Sequence, residues 1–329
     1  MKRFDGEAAL AFAHAACLGA GASEATARSL ARATVAAELR GKAGVGFRHL
    51  VDYLAAFVDG RIARDAVPIL SFPAPAIVQS DAREGLAQLG FDLAFPDLRG
   101  RAEALGVAIF SQRNSYTSGE LGDYVRRLAE VGLVGIAATN GPALVAVPGG
   151  KAPVYCTNPI AFAAPLAHGP PLVIDQATSA TAWVNVRARG ERGEPLPPGW
   201  AVDLHGVETT DASAAMRGAL LTFGGARGAN IALLVELLAA GLTGANWSLD
   251  APNFAAGALS PGAGLLVIAL APTLLDPNFA ARVEAQLRRL AEHGVYVPGL
   301  GAPKVAMELE AELVEAIEAY LPGGPLSAF

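Results

Sequence analysis

The sequence is poor in cysteine and in charged side chains. Cys17 and Cys156 are its two cysteines, and neither stands in a CxxC or Cys/His spacing that would hold zinc. We therefore expect no metal site, no structural disulfide and a reduced, cytoplasmic protein. Charged residues make up 17% of the chain, the net charge is −6, and no basic run is longer than a dipeptide. This composition predicts no nucleic-acid partner.

Long apolar segments are also missing. The stretch Ile231–Leu242 is among the longest, but Glu236 interrupts it and it is too short to span a bilayer. The first seven residues are not followed by an apolar segment of the kind found in signal peptides. The sequence therefore predicts no membrane partner.

Small and apolar residues are plentiful instead. Hydrophobic residues account for 52% of the chain and glycine for 37 positions, which is typical of a well-packed globular enzyme. Apolar residues at helical spacing predict helices over Ala8–Leu18, Glu24–Leu39, His49–Val58, Pro96–Leu105, Gly119–Glu130, Ser213–Leu221, Ala229–Leu242, Phe279–His293 and Ala306–Tyr320. Short apolar runs predict strands over Ile77–Ser80, Val107–Ser111, Val134–Thr139, Leu172–Asp175 and Gly264–Ala271.

The order of these elements predicts an α/β (α+β) fold with two domains. A chain of 329 residues is long enough for two hydrophobic cores. Both ends are helical, whereas helices and strands alternate between them. We expect a helical domain made from residues 1–72 with 276–329, and a mixed α/β domain made from residues 73–275. Pro68, Pro73 and Pro75 mark the connector, and residues 189–206 form a Gly/Pro-rich loop.

A Rossmann dinucleotide site is absent. Such a site needs a strand, then GxGxxG, then a helix, with an acidic residue about 20 positions further on. Ala43–Phe47 (AGVGF) is the nearest glycine spacing, but no predicted strand precedes it. Binding of a dinucleotide would therefore need a different kind of loop.

Six stretches in the second half of the chain carry a family resemblance. They are TNPIA at 157–161, VIDQATS at 173–179, LPPGWAVD at 196–203, TTD at 209–211, FGGARG at 223–228 and VELLAAGLTG at 235–244. In order and spacing they resemble the type-2 malate/L-lactate dehydrogenase superfamily. LRG at 39–41 and DGRI at 59–62 extend this resemblance to the start of the chain.

Within that superfamily, Asn140–Ala143, Asp175–Ala180 and Phe223–Gly225 are most similar to the Δ1-piperideine-2-carboxylate/Δ1-pyrroline-2-carboxylate reductases. The resemblance implies a non-Rossmann NAD(P)-binding fold, with NADPH or NADH held by the α/β domain of residues 73–275. It also implies a homodimer and a small-molecule substrate, either a cyclic 2-carboxy imine or a 2-keto acid. Segment 298–304 is poorer in arginine than the family's basic C-terminal segment, which leaves the choice between the two cofactors open.

Three segments are candidates for cofactor binding. Thr117, Ser118 and Gly119, with Glu120 and Leu121, stand at a predicted helix start, where free backbone N–H groups favour phosphate. Ala226 and Arg227 stand at a second one, and arginine grips phosphate with two parallel bonds. Asp175, Gln176 and Ala177 end a predicted buried strand, where ligand loops are common. N-capping, a solvated arginine and turn chemistry are the structural alternatives.

The family's proton relay is missing. The resemblance places a Ser-His-Gly triplet shortly after Arg-Gly, in which the histidine gives its proton to the substrate, and a later aspartate that orients it. Alignment on Leu39–Gly41 puts Gly44 at the serine and Val45 at the histidine, and counting from Asp175–Ala177 puts Asn185 at the aspartate. The catalytic residue is therefore unknown at this stage. A second histidine of the family falls on Thr117.

Candidate substrate ligands are Arg48, His49 and Thr157. The family's carboxylate-binding arginine aligns with His49, beside Arg48, and its substrate-contacting threonine aligns with Thr157. Both Arg48 and His49 stand near a predicted helix start, where exposed side chains are the alternative. Further candidates, left unranked, are Arg40, Lys42, Tyr116 and Glu120.

Loss of the acid favours imine over ketone reduction, because an iminium nitrogen already carries its proton and no oxyanion forms. We therefore expect an NAD(P)H-dependent reductase that makes L-proline or L-pipecolate. The alternatives are a 2-keto-acid dehydrogenase of the malate/lactate type with a relocated acid, and a nucleotide-binding homologue without catalysis.

Overall fold

The computed structural model describes residues 1–299, 301 and 304–328. Its α-helices are α1 (Gly6–Gly19), α2 (Glu24–Leu39), α3 (Phe47–Val58), α4 (Ala87–Leu105), α5 (Leu121–Glu130), α6 (Trp183–Glu191), α7 (Ala212–Met216), α8 (Ala226–Glu236), α9 (Phe279–Glu292) and α10 (Ala311–Glu318). Its strands are β1 (Lys2–Asp5), β2 (Ile69–Ala74), β3 (Ile77–Asp81), β4 (Val107–Ser115), β5 (Val134–Thr139), β6 (Val145–Ala146), β7 (Ile160–Ala164), β8 (Leu172–Gln176), β9 (Ala201–Val202), β10 (Glu208–Thr209), β11 (Ala219–Leu221), β12 (Ala263–Leu270) and β13 (Ala306–Leu309).

The N-terminal helices form one hydrophobic core together with the C-terminal elements. Side chain oxygens cap the first two helices: Asp5 accepts from the Ala8 N–H of α1 at 2.8 Å, and Ser23 accepts from the Thr26 N–H of α2 at 3.3 Å. Buried residues of α1, α2 and α3 pack with Met307 and Leu309 of β13 and with α10. Strand β1 pairs antiparallel with β13, so both ends of the chain meet in this layer.

A seven-stranded sheet forms the second core. Its order is β2-β3-β4-β12-β5-β7-β8, and only the pair β3–β4 is parallel. Side chains alternate across its faces: Ala137 faces the core shared with α4 and α5, whereas Ala138 packs against α8 and the π-helical turn Leu237–Gly241. Gly264 is required here, because a Cβ would lie 1.9 Å from the Ala239 carbonyl oxygen of that turn. The mixed, largely antiparallel sheet is not a doubly wound one.

A second, smaller sheet lies within the central segment. It has the order β10-β9-β11-β6, with β6 and β11 parallel, and it packs with α6 and α7 around a separate cluster that includes Val145, Val186 and Leu220. The predicted fold class is confirmed, but no local pattern predicted this second sheet. The domain division at residues 72 and 275 stays a prediction, and Phe329 of its last segment lies outside the described residues.

Two of the predicted helices are partly wrong. In the stretch 213–221 the helix ends at Met216, and Ala219–Leu221 is strand β11, held between β9 and β6. In the stretch 306–320 the first four residues are strand β13, because they pair with β1. In both places long-range strand pairing overrides local helical spacing.

Proline misled the prediction at two positions. Helix α4 begins at Ala87 and carries Pro96 in its interior, whereas the apolar spacing predicted a helix with Pro96 in its first turn. The expected connector around Pro73 is edge strand β2, and an edge position tolerates a residue without an N–H group. No helix in the described part of the chain is long and apolar enough to cross a membrane.

Candidate active site

The loop of residues 116–120 joins β4 to α5 and lies beside the end of β8. The Gly122 N–H, in the first turn of α5, donates to Asp175 Oδ2 at 3.0 Å. The Tyr124 hydroxyl donates to the Ser118 carbonyl oxygen at 2.7 Å and fixes the loop over the helix start. The structure therefore brings together two of the segments expected to bind cofactor, Thr117–Leu121 and Asp175–Ala177.

Buried charges surround this junction. Glu120, whose side chain is 1% exposed, lies 3.3 Å from Lys42 Nζ and 3.4 Å from Arg126. Lys42 Nζ also lies 2.5 Å from Asp175 Oδ2, and Arg40 lies 3.9 Å from Glu120. A buried carboxylate requires such partners. The network ties the segment after α2 to the start of α5 and to β8.

An open groove of about 480 Å³ runs from this network toward the C-terminal segment. Its basic side chains are Arg40, Lys42, Arg126 and Lys304, with Asp175 and Glu130 as its acids. Of the segment 298–304, Leu300, Ala302 and Pro303 lie outside the described residues. A groove with several cations suits the negative phosphates of a dinucleotide, and a carboxylate such as Asp175 suits ribose hydroxyls.

The start of α8 lies close to the same loops. The Phe223 N–H donates to the Thr178 carbonyl oxygen at 3.0 Å, and the Ala180 N–H donates to Leu221 at 2.7 Å. These bonds place Ala226 and Arg227, both exposed, next to the segment that follows Ala177. A separate open cavity of about 560 Å³ adjoins Thr222, Gly224 and Gly225.

Thr157 is positioned by a buried polar network. The next residue, Asn158, has a left-handed φ of 34° and is 0% exposed. Its amide donates to the Ala232 carbonyl oxygen at 2.9 Å and to Glu236 Oε2 at 2.8 Å. The Thr157 carbonyl oxygen accepts from both the N–H and the hydroxyl of Thr178, each at 2.8 Å. These contacts tie Thr157 to α8 and to the loop after β8.

His49 lies on α3 within reach of the 116–120 loop. Its Nδ1 is 2.8 Å from Asp52 Oδ2 and its Nε2 is 3.3 Å from the Thr117 hydroxyl. The rings of Tyr53 and Phe254 stand edge-on to the imidazole, with centroids 4.7 and 6.0 Å away. Of the two candidate substrate residues on α3, His49 is the one that faces the cofactor segments. Its partners there are a carboxylate and a hydroxyl.

The other candidates on this side are arranged differently. Arg48 points away from His49 and forms an exposed ion pair with Glu310 at 2.8 Å. Gly44 and Val45 lie in the short 3₁₀ turn Ala43–Val45, where neither side chain has a proton to give. Asn185 donates to the Thr181 hydroxyl at 3.1 Å. The described residues contain no cluster of His, Cys, Asp or Glu suited to a metal ion.

Sequence reasoning missed three residues of this site. Asp52 and Tyr53 follow His49 by three and four positions, a spacing that puts them on one helix face and that could have drawn attention to them. Gln88, which donates to the Tyr53 hydroxyl at 3.1 Å, comes from the start of α4 and leaves no local signal. The packing of α3 against the start of α4 brings it there.

The fold agrees with comparisons to known proteins. Residues 4–310 match the family described as malate/L-lactate dehydrogenase. The chain is 38% identical to a Δ1-pyrroline-2-carboxylate/Δ1-piperideine-2-carboxylate reductase from Pseudomonas aeruginosa over 281 residues, 84% of each protein. It is 37% identical to the NADP⁺-dependent (2R)-3-sulfolactate dehydrogenase from Chromohalobacter salexigens over 302 residues, 88% of this chain and 89% of the relative.

A solved structure supports the same assignment. The crystal structure of Δ1-piperideine-2-carboxylate reductase from Pseudomonas syringae pv. tomato has a TM-score of 0.89 and 32% identity, and the match covers 97% of this chain and 100% of that one. The chain therefore belongs to the malate/L-lactate dehydrogenase family. It is an oxidoreductase, like the curated members it matches.

Proposed function

We propose that this protein is an NAD(P)H-dependent reductase of cyclic ketimines that carry a 2-carboxylate, Δ1-pyrroline-2-carboxylate or Δ1-piperideine-2-carboxylate, and that its product is L-proline or L-pipecolate. The observation that carries this proposal is the similarity to curated reductases of these imines, one of them 38% identical over 84% of the chain. The family's histidine is replaced by Val45, so any proton donor must be another residue of the site.

The residues around α5 suit a nicotinamide dinucleotide. The groove beside the start of α5 supplies Arg40, Lys42 and Lys304 to phosphate, and Asp175 offers a carboxylate to a ribose. When bound, a reduced nicotinamide supplies the hydride. The several cations of the groove favour NADPH, whose extra phosphate they would balance. The relative from C. salexigens is NADP⁺-dependent by name.

Substrate would lie between α3 and the 116–120 loop. His49 and Thr117 present polar groups there, while Phe254 and Tyr53 supply apolar walls that limit access of water. Thr157 is held on the adjoining loop by Thr178. In this arrangement the chain orients a small planar acid and keeps it against the cofactor segments.

Reductase assays test the proposal directly. The purified protein is mixed with NADPH or NADH and with each cyclic imine, pyruvate, oxaloacetate or 3-sulfopyruvate, and loss of reduced nicotinamide is followed by absorbance. We expect kcat/KM for at least one imine to exceed that for every keto acid by about 100-fold, a difference of roughly 2.7 kcal/mol in transition-state stabilisation. Absence of imine turnover with either cofactor would overturn the proposal.

A second candidate function is reduction of a 2-keto acid. The 37% identity to a sulfolactate dehydrogenase favours it, as does the presence of a histidine–carboxylate pair at His49 and Asp52. It predicts that 3-sulfopyruvate or oxaloacetate is the better substrate in the same assay. Cofactor binding in a calorimeter without turnover of any acid would instead indicate a nucleotide-binding homologue.

The homodimer is also a proposal. Beyond the family resemblance, α9 has no buried residue, and Leu274, Leu275 and Tyr296 on either side of it are exposed by 64, 85 and 83%. Exposed apolar side chains in this number are typical of an interface. Sedimentation at several protein concentrations is expected to show a species of twice the chain mass.

A further inference from the structure

Residues 49, 52 and 53 put a histidine, a carboxylate and a phenol on one side of α3, because positions three and four apart share a helix face. Nδ1 of His49 lies 2.8 Å from Asp52 Oδ2. An ionised carboxylate can only accept a hydrogen bond, so Nδ1 carries the proton of this pair. The nitrogen left to exchange a proton is Nε2, which faces Thr117 at 3.3 Å.

The imidazole is held on its other sides as well. Tyr53 and Phe254 present ring edges to it at 4.7 and 6.0 Å. The Thr117 hydroxyl donates to the Tyr53 oxygen at 2.5 Å, and Gln88 Nε2 donates to the same oxygen at 3.1 Å. The groups next to Nε2 are therefore fixed by their own partners. Of the four hydrogen bonds made by His49 and Tyr53, the one from Nε2 to Thr117 is the longest. A substrate atom can therefore replace Thr117 at Nε2 with the smallest loss of hydrogen-bond energy.

Exposure differs between the two ends of this arrangement. The side chain of Asp52 is 44% exposed, whereas that of His49 is 14% exposed. The carboxylate of Asp52 thus reaches water, while Nε2 lies on the sheltered side that faces the 116–120 loop. Burial raises the pKa of Tyr53 to about 12, so this phenol stays protonated and takes no part in the exchange.

The other titratable groups near His49 and Asp52 have partners of their own. Tyr116 lies behind Tyr53, with ring centroids 5.5 Å apart, and its hydroxyl accepts from Arg61. Arg61 is itself paired with Asp59 at 2.8 Å. Arg48, although adjacent in sequence, is turned toward Glu310. Asp52 is therefore the charged group in contact with the imidazole among the described residues.

We propose that His49, oriented by Asp52, is the proton donor to the imine nitrogen, in place of the histidine that Val45 has replaced. This inference rests on the proposed function. The proton leaves Nε2 for the ring nitrogen of the substrate, and a bound reduced nicotinamide would supply the hydride that C2 accepts. The C=N double bond becomes a C–N single bond with hydrogen on both atoms, while Nδ1 keeps its proton against Asp52. Water then returns a proton to Nε2 once the product has left.

Single-turnover rates of NADPH oxidation test this assignment. We expect His49→Gln to lower the rate constant for imine reduction by about 100-fold, in the range of a lost general acid. His168→Gln, an exposed histidine on another surface, serves as the matched control and should behave like the wild type.

Two further measurements separate proton donation from a structural role. Added imidazole should restore part of the rate of His49→Ala, which mere repair of packing would not explain. Calorimetry should show the same Kd for NADPH in His49→Gln and wild type, with melting temperatures within about 3 °C, a shift of roughly 1–2 kcal/mol. Asp52→Asn should lose about 10-fold in rate, because the ring is no longer held with its proton on Nδ1.

The outcomes distinguish this inference from the proposed function. If the wild type reduces no imine, the proposed function is wrong and this assignment is withdrawn with it. If the wild type reduces imines but His49→Gln keeps its rate within about threefold, less than 1 kcal/mol, only the assignment to His49 is wrong. A rise in KM with an unchanged rate constant would make His49 a ligand of the substrate carboxylate and would equally overturn its role as donor.

Discussion

The buried carboxylate of Glu236 is expected to be one of the most costly side chains to remove from this protein. Glu236 is 5% exposed and accepts three hydrogen bonds: from Asn158 Nδ2 at 2.8 Å, from the Ser248 N–H at 2.6 Å and from the Ser248 hydroxyl at 2.8 Å. In Glu236→Ala these donors remain buried without their acceptor. The Ser248 hydroxyl would also lose its acceptor on α8, so the loop after α8 would lose this hydrogen bond to the helix.

The size of the effect follows from these contacts. A hydrogen bond to a charged group contributes about 1.5–3 kcal/mol. The three do not add fully, because the Ser248 hydroxyl can turn and water can enter the space, and we expect a loss of about 3 kcal/mol in the free energy of unfolding. At about 2 °C per kcal/mol, the slope for long chains, the melting temperature should fall by about 6 °C. Glu236→Gln keeps one acceptor oxygen and should lose about half as much.

Differential scanning calorimetry at several scan rates measures this shift. Glu315→Ala, an exposed glutamate on α10, is the matched control and should stay within about 1 °C of the wild type. If Glu236→Ala melts as close to the wild type as this control does, the three contacts do not stabilise the fold. Because Asn158 holds its left-handed φ through this network, the variant should also raise the KM for substrate at the neighbouring Thr157.

Two further predictions concern packing and thiol reactivity. Gly90→Ala should destabilise the protein by about 1–3 kcal/mol, because its Cβ would lie 1.7 Å from the Gln112 Oε1 atom. Gly100→Ala on the same helix meets nothing within 4 Å and should stabilise the protein by up to about 1 kcal/mol. Urea unfolding of both variants measures this contrast, and equal effects would contradict the prediction. Burial raises the pKa of Cys17 to about 12 and also raises the pKa of Cys156. At pH 8 a disulfide reagent should therefore label the fully buried Cys17 only after denaturation. The partly exposed Cys156 should be labelled slowly in the native protein. Fast native labelling of Cys17 would be the contrary result.

Local sequence signals predicted the helical layer well. Helix α2 has the bounds Glu24–Leu39 expected from its apolar spacing and its Ser23 cap, and β5 has the bounds expected from its apolar run. In both, the apolar period and the flanking residues agree. Strands β11 and β13 could not be found in this way, because pairing with distant strands decides their conformation.

The candidate site was accessible from sequence only where local patterns or family motifs mark it. A predicted helix start suggested residues 117–121 and a predicted strand end suggested residues 175–177 as cofactor segments, and the bond from Gly122 to Asp175 shows that these segments are neighbours. The contact of His49 with Thr117 was not accessible, because it joins residues 68 positions apart. Such contacts follow from the packing of α3 against the β4–α5 loop, which no local pattern encodes.

The pairing of β1 with β13 has a consequence for synthesis of the chain. Lys2 lies opposite Leu309 and Asp5 opposite Ala306, so roughly 300 residues must be made before the first strand finds its partner, which takes on the order of 15–60 s on a ribosome. During that time the apolar faces of α1 and α3 lack the cover that β13 and α10 later provide. The N-terminal helices are thus synthesised well before the elements that cover them. Their apolar faces stay available for chaperones to bind until β13 and α10 emerge.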